Sequence, residues 1–210
     1  MKPFKYIGIS SLKEVSKNNS GTIINLIDSC PIVTCSGNRT PKVALETVDK
    51  SYCSSKKMWY HGVKLHALGI YRKGKLPEIE SFVISKASEN DITIFKDYWA
   101  GLPNRLFYAD KIYINEPLNQ SLRAIKSEII TPIKAKKGRT DRQKQIDLAF
   151  EMLYDNMVSS VRQPIESFFN WLNEKTQIQK ASKVRSSKGL LVHILGRIVI
   201  VCFLTVDSHL

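Results

Sequence analysis

The stretch that decides the fold is Thr22-Ile23-Ile24-Asn25-Leu26-Ile27, which runs directly into Asp28. It is short, mostly apolar and rich in β-branched residues, a composition typical of a buried strand. Because this strand ends on an acid, Asp28 is the first candidate site residue. Other acids that follow strands could meet Asp28 at one edge of a sheet.

Strand and helix patterns alternate along the rest of the chain. Four further strands are predicted at residues 62–68, 78–85, 105–109 and 128–133. The turn Lys73-Gly74-Lys75 joins the first two of them as a hairpin. Five helices are predicted at 92–99, 116–125, 142–157, 160–175 and 188–204. This order is that of an α/β sandwich, in which helices pack on a sheet.

Two helix starts can be placed from single residues. Ser88-Glu89-Asn90-Asp91 resembles a Ser-x-x-Asp cap and predicts that a helix begins at Ile92. Pro164 is tolerated only near the start of a helix, which predicts a separate helix beginning around Ser160.

Length and charge limit the classes of function. The 210 residues provide one sizeable domain. Thirty-two Lys and Arg against nineteen Asp and Glu leave a net charge of +13, which favours a polyanionic partner, with nucleic acid first and an anionic membrane surface second. The four cysteines contain no CxxC pair, and we expect them to be reduced in a cytoplasmic protein.

The apolar segment from 189 to 206 is the one candidate membrane span. His193 and Arg197 would both lie near its middle, where each ionisable group costs roughly 3 kcal/mol on insertion scales. We therefore interpret the segment as a buried C-terminal helix with two polar positions that face outward, and we expect no membrane partner.

Three acids form a candidate catalytic set. Asp28 and Asp110 follow strands, and neighbouring strand ends can bring such side chains together at one edge. Glu166 belongs to a later helix, with Arg162 one turn before it on the same face. Clustered carboxylates are the ligands that Mg²⁺ prefers, and two ions about 3.5–4 Å apart can activate the attacking oxygen and stabilise the leaving oxygen at phosphorus. From spacing alone, each acid is better explained as a cap or turn residue.

Five short segments follow one another in a set order. They are Ile27-Asp28-Ser29 before Pro31, the segment from Tyr60 to His66, Ala87-Ser88-Glu89-Asn90-Asp91, Tyr108-Ala109-Asp110-Lys111-Ile112-Tyr113, and the segment from Arg162 to Phe169. In this order they resemble the first-aspartate, Tyr-Gly-x-Lys-x-His, Ser-x-His-Asp, second-aspartate and Arg-x-x-x-Glu-x-x-Phe motifs of DDE transposases from bacterial insertion sequences, especially the groups numbered 982 and 4. The resemblance covers about residues 22 to 205.

The resemblance implies an RNase H-like fold, a mixed central sheet flanked by helices, over residues 21–207. It implies that Asp28, Asp110 and Glu166 are ligands of two Mg²⁺ ions, with Mn²⁺ as a substitute. Lys111 and Arg162 would then lie near the scissile phosphate or pair with the acids, since a guanidinium suits either partner. For Arg162 the alternative is a plain surface ion pair with Glu166, worth at most about 1 kcal/mol.

Several other residues have two interpretations each. Lys64 and His66 alternate on a strand and therefore share one face. Either this face is directed toward the DNA or the acids, or the two residues are a satisfied polar pair at a sheet edge. Asp91 is a helix cap or an accessory acid, with the cap favoured. The basic run from 134 to 144 is a solvated loop or a set of DNA phosphate contacts, and its candidate contacts are Lys134, Lys136, Lys137 and Arg139.

The three tryptophans are either candidates for stacking on a base or residues of the core. Each of the three, Trp59, Trp99 and Trp171, could stack on a base. Trp99 and Trp171 lie in helical patterns, however, and we expect them in the core.

The resemblance also implies the reaction and the partners. A transposase hydrolyses DNA at the element's terminal inverted repeats, and the freed 3′-hydroxyl then attacks target DNA. Two alternatives are a DNA-binding remnant without catalysis and an RNase H-like nuclease without strand transfer. A homodimer is left open.

The chain departs from the family pattern at both ends of the motif set. The family often has a Tyr at the position of Ser159 and a Lys at that of Asn173. Its members normally carry a helical region before the first aspartate motif, where this chain has fewer than thirty residues. We therefore interpret residues 1–20 as a linker or remnant of that region and the chain as an N-terminally shortened transposase.

Overall fold

The computed structural model describes residues 7–10, 22–133 and 141–207. Within this part of the chain there are seven strands, namely β1 Ile7–Ser10, β2 Ile23–Ser36, β3 Asp49–Cys53, β4 Met58–Ile70, β5 Glu78–Lys86, β6 Arg105–Tyr108 and β7 Glu128–Ile130. The helices are α1 Asp91–Tyr98, α2 Glu116–Arg123, α3 Asp141–Thr176 and α4 Ser187–Asp207, with a single 3-10 turn at Lys111–Tyr113. The predicted alternation of strands and helices, an α/β fold, is confirmed.

The strands form one mixed sheet in the order β1-β5-β4-β2-β6-β7, with β3 paired to β4. The central strand β2 runs antiparallel to β4 and parallel to β6. The predicted hairpin between β4 and β5 is present. Its turn contains Gly74 at φ +71°, a left-handed conformation that glycine adopts without steric cost.

The sheet buries both of its faces, and the alternation of side chains along β2 shows how. Leu26, Cys30 and Ile32 pack in one cluster with residues of α3 and α4. Ile27 packs in a second cluster with residues of α1, the 3-10 turn and α2. Since successive side chains of a strand point to opposite faces, α3 and α4 cover one face and α1 and α2 cover the other.

β2 extends well beyond the predicted stretch, so Asp28 lies inside the strand and not at its end. The sequence after Asp28 looked like a loop because it contains Ser29 and Pro31. Val33 N donates to Gln179 O, on the side of β2 away from β4. Backbone N–H groups of a strand alternate in direction, so the N–H that proline lacks at position 31 would point to that same side. Because β6 has already ended there, Pro31 removes no hydrogen bond of the sheet.

Two edge strands were missed. β3 was not predicted because Asp-Lys-Ser-Tyr-Cys lacks an apolar alternation, and it is held by pairing with β4. β1 lies in the stretch that we interpret from the sequence as a linker or remnant, yet Ile7 pairs with Ile84 of β5. The boundary between residues 20 and 21 stays a prediction.

The prediction of two helices separated before Pro164 is wrong, because α3 is continuous through it. A proline inside a helix removes one hydrogen bond and costs about 3 kcal/mol or more. Buried side chains on both sides of the proline, including Val158, Ile165 and Leu172, anchor the helix against this cost. The start of α1 also differs, because Asn90 is the cap and its side chain accepts from Ile92 N at 3.0 Å.

α4 is packed against the sheet as predicted, with Leu190 and Ile194 in the core. Its two polar residues do not face outward. His193 Nε2 donates to Ile178 O at 2.9 Å, and Arg197 Nε donates to Thr176 O at 2.8 Å, so they bind the chain just after α3 and the last residue of α3. Among the described helices, none combines the length and apolar character that crossing a membrane requires.

Gly62 provides a test of the β2–β4 packing. A Cβ added there would collide with the carbonyl oxygen of Ile32, whereas one added at Gly101 meets no heavy atom within 4 Å. We expect Gly62→Ala to lower the free energy of unfolding by about 1–3 kcal/mol through overpacking, and Gly101→Ala to change it little. Urea unfolding measures both, and equal midpoints would contradict this packing.

Candidate active site

The three candidate acids come from three different elements. Asp28 lies in β2 on the face that α3 covers, because it alternates with Leu26 and Cys30. Asp110 follows β6 by two residues and caps the 3-10 turn, with its carboxylate accepting from Lys111 N at 2.6 Å. Since β6 runs parallel to β2 and Tyr108 pairs with Leu26, the chain leaves β6 next to Asp28.

Arg162 joins the other two acids. Its Nη1 lies 3.8 Å from Asp110 Oδ1 and its Nη2 lies 3.3 Å from Glu166 Oε1. The arginine side chain is only 9% exposed, whereas those of Asp110 and Glu166 are 56% and 52% exposed. Exposed ion pairs contribute little to stability, but a buried guanidinium depends on the acids around it. Arg162 therefore does more than pair with Glu166 along one helix.

Burial raises the pKa of Asp28 to about 6. The hydrogen bond from Ser29 N and the charge of Arg162 lower this pKa, while the charges of Glu166 and Asp110 raise it. Because Glu166 and Asp110 both act on Asp28, the three acids and Arg162 form one electrostatic cluster. The structure thus brings together the residues that the sequence selected.

The donor set of this cluster fits a hard divalent cation, since all three acids offer carboxylate oxygens. In the present arrangement, the described residues contain no group of three or more His, Cys, Asp or Glu placed to hold a metal ion. Arg162 supplies the positive charge between Asp110 and Glu166. A metal bound by all three acids would share them with, or displace, this guanidinium.

Lys111 is adjacent to the cluster but pairs outside it. Its Nζ lies 3.1 Å from Asp155 Oδ2, on α3. The other oxygen of Asp155 accepts from Ile133 N at 2.7 Å, which ties the chain after β7 to α3. Asp155 lies in a plain helical pattern outside the recognised motifs, so no signal in the sequence could have found it.

Lys64 and His66 belong to a second polar cluster on the opposite face, which α1 covers. Lys64 Nζ donates to Asp91 Oδ1 at 2.9 Å, and Ser29 Oγ donates to Asp91 Oδ2 at 3.3 Å. His66 is fully buried, with Nε2 2.8 Å from Ser85 Oγ. A buried imidazole has no surface to offer, so direct contact of His66 with DNA does not fit. The group is satisfied only in part, because its Nδ1 has no hydrogen-bond partner among the described residues, and β4 lies inside the sheet rather than at its edge.

Tyr113 is a residue that the motif comparison quoted without assigning a role. Its side chain packs edge-on against Phe95, and its buried hydroxyl has no hydrogen-bond partner among the described residues. Burial, and then the charges of Asp91 and Asp28, raise its pKa well above the ordinary value. The charges of both polar clusters therefore act on this hydroxyl, and its place at the end of the Tyr108–Tyr113 motif was the available signal.

The remaining candidates are the basic residues after β7 and the three tryptophans. Lys134, Lys136, Lys137 and Arg139 lie outside the described residues. Trp99 is buried and donates from Nε1 to Ser81 Oγ at 2.9 Å, and Trp171 packs against the core, as predicted. Trp59 is 52% exposed.

His66 should make stability depend on pH. Burial lowers the pKa of His66 from 6.5 to about 4. The charge of Asp91 raises this pKa, and the charge of Lys64 lowers it further. The unfolded chain therefore takes up this proton first, so the stability that neutral His66 contributes is present above pH 6.5 and is lost as the pH falls toward 4.

We expect this loss to be about 3 kcal/mol at one buried site. Denaturant unfolding between pH 7 and pH 4 measures it, and His66→Gln should remove most of it. The raised pKa of Asp28, about 6, means that the folded protein takes up a proton there before the unfolded chain does. Protonation of Asp28 therefore increases stability as the pH falls, opposite to the effect of His66. Since Asp28 is present in both proteins, only the difference between them is diagnostic, and parallel profiles would refute the assignment.

Arg162→Gln should destabilise the protein by about 1–3 kcal/mol, because it removes a buried positive charge that pairs with Asp110 and Glu166. Millimolar Mg²⁺ should restore part of the loss by neutralising the same acids. The control is Arg123→Gln, which breaks two ion pairs, with Glu116 and Glu128, around a guanidinium that is 54% exposed. That change should be near zero, and equal losses measured by thermal unfolding would contradict the role of Arg162.

Comparison with known protein families identifies the family of the chain. Residues 18–187 match the model described as the transposase DDE domain. No curated protein matches the chain, and neither does any solved structure. The family match covers well over half of the chain and includes Asp28, Asp110, Arg162 and Glu166. The chain therefore belongs to the family of transposase DDE domains.

Proposed function

We propose that the chain is a DNA transposase in which Asp28, Asp110 and Glu166 carry out metal-dependent phosphoryl transfer on DNA. One observation carries this proposal: Arg162 joins Asp110 to Glu166, and both acids act on the carboxylate of Asp28. Three acids distant in sequence share one cluster beside the apolar residues Leu26, Cys30 and Ile32 of β2. A purely structural role for each acid would not require them to meet.

The three carboxylates would hold two Mg²⁺ ions, or Mn²⁺ in their place. Ions bound there supply activation of the attacking oxygen and stabilisation of the leaving oxygen. Asp28, inside β2, is the fixed ligand, while the half-exposed Asp110 and Glu166 can reach a substrate from solvent. The three acids therefore divide between an anchoring role and a substrate-facing role.

Two basic residues would position the scissile phosphate. A guanidinium matches phosphate and carboxylate equally well, so Arg162 can turn from the acids to the substrate once other cations neutralise them. Its Nε is buried without a hydrogen-bond partner among the described residues, which leaves a donor for this purpose. Lys111, half-exposed and next to Asp110, adds a second positive charge.

The reaction we propose follows the resemblance to transposases of insertion-sequence groups 982 and 4. Hydrolysis at the terminal inverted repeats frees a 3′-hydroxyl, which then attacks target DNA. The net charge of +13 supports a polyanionic substrate. The mixed sheet with helices on both faces supports an RNase H-like domain over residues 21–207.

The first experiment is metal-dependent nicking of DNA that carries the flanking inverted repeats. We expect cleavage with Mg²⁺ or Mn²⁺, none in EDTA, and a loss of about 10³-fold or more with Asp110→Asn, since that change removes a metal-ligand charge. Asp97→Asn, which neutralises an exposed acid on α1, should cleave as the native protein does. DNA binding without cleavage by the native protein would favour the inactive remnant.

Strand transfer separates a transposase from a nuclease. With pre-cleaved ends and a target plasmid, we expect joined products from the native chain and none from Asp110→Asn. Cleavage without any joined product would support the nuclease alternative instead.

A further inference from the structure

A cavity of about 680 Å³ opens at the far end of β2 from the acids. It lies between the turn that follows β2 and the segment that joins α3 to α4. Three cations line it, Arg39, Lys42 and Arg185, together with side-chain hydroxyls that include those of Thr40 and Ser182. None of the residues that line it carries a carboxylate.

The three cations are available to a ligand. All are exposed, and within the described chain none forms an ion pair with an acid. Like charges around one cavity repel one another, so their closeness costs energy unless an anion shares them. Guanidinium groups and hydroxyls are the donors that proteins use for phosphate oxygens. The cavity is therefore chemically suited to phosphate.

The cavity is held rigidly to the acid cluster. Val33 of β2 accepts from Ala181 N and donates to Gln179 O, each at 2.9 Å, around a parallel bridge with Lys180. This pairing fixes the segment after α3 on the end of β2. Since β2 also carries Asp28, and the segment after α3 continues directly from the helix that carries Glu166, the cavity and the acids are joined through β2 and α3.

Their separation suits one DNA molecule. Thr34, which lines the cavity, follows Asp28 by six positions in β2, about 20 Å at roughly 3.3 Å per residue. One strand of B-DNA advances about 3.4 Å per nucleotide along the axis. A duplex that lies along this face covers that distance within about six base pairs, so its two backbones can contact the acids and the cavity at the same time.

An exposed aromatic side chain lies beside the cavity. Gly37 N donates to Trp59 O at 2.8 Å, which places Trp59 next to the turn that carries Arg39. The alternation along β4 puts Trp59 on the same face as Val63, the face that also carries Asp28. Lys50 Nζ lies 5.5 Å from the centre of the Trp59 ring. Exposed aromatic rings beside cations form stacking platforms for unpaired bases.

We propose that the cavity lined by Arg39, Lys42 and Arg185 binds backbone phosphates of the same DNA whose scissile phosphate lies at the acids. Trp59 stacks on a base next to it. This inference rests on the proposed function, because it assumes that the substrate at the acids is DNA. It assigns the binding of the DNA flank to a defined surface outside the acid cluster.

The test is DNA binding by fluorescence anisotropy in EDTA, with a labelled duplex that has a single-stranded end. Arg39→Ala, Lys42→Ala and Arg185→Ala are combined in one variant. The control combines Lys73→Ala, Lys75→Ala and Lys96→Ala, which removes the same charge from the β4–β5 turn and from α1. Thermal unfolding checks that both variants fold, and single substitutions replace either variant that does not.

We expect the cavity variant to bind at least about tenfold more weakly than the control, with a slope of log affinity against log salt lower by about 1 for each phosphate lost. Trp59→Phe should abolish most of the DNA-induced change in tryptophan emission, since Trp99 is buried and Trp171 is half-buried against the core.

Equal affinities of the two variants would overturn the proposal. So would binding of inorganic phosphate by the native protein together with full DNA affinity in the cavity variant, because the cavity would then be a site for free anions. The assay contains no metal, so its outcome is independent of cleavage. A chain that binds DNA through the cavity but never cleaves it would refute the proposed function and leave this inference standing.

Discussion

The burial of β2 on both faces is the constraint on which the rest of the structure depends. The strand lies between β4 and β6, with α3 and α4 on one face and α1 and α2 on the other. Every residue that points to the α3 face must therefore be apolar or be satisfied there, because an isolated buried charge costs several kcal/mol. Asp28 is the exception among Leu26, Cys30 and Ile32, and the raised pKa of Asp28 reflects this burial. A carboxylate at this position requires positive charge nearby, which Arg162 supplies from α3.

The sequence predicted those parts of the fold that local patterns determine. The apolar run before Asp28, the hairpin turn at Gly74 and the alternation of strands and helices were all read correctly. The rest depends on tertiary pairing, which local patterns do not contain. β2 continues through Pro31 because β6 has ended on that side, and α3 continues through Pro164 because buried residues hold it on both sides.

For the candidate site, the sequence identified the acids but not their surroundings. Asp28, Asp110 and Glu166 stand in ordered motifs, so resemblance sufficed to select them. The contact between Arg162 and Asp110 joins α3 to the end of β6 and requires the sheet order. Likewise, the alternation of Lys64 and His66 showed that they share a face, but only the register of Ser29 opposite His66 shows that this face is opposite to the one that carries Asp28.

The two faces of the sheet therefore have different chemistry. On the α1 face the charged residue Lys64 is neutralised by Asp91, and His66 is kept neutral by burial, so this cluster stabilises the fold without leaving charge for a ligand. On the α3 face the charges are not balanced locally: acids gather near the middle of β2, and cations gather near its end. A neutral ligand would satisfy neither group. A polyanion accompanied by divalent cations satisfies both, since the cations meet the acids and the phosphates meet Arg39, Lys42 and Arg185. The separation of charge along one strand thus matches DNA with its metal ions better than any small anionic substrate.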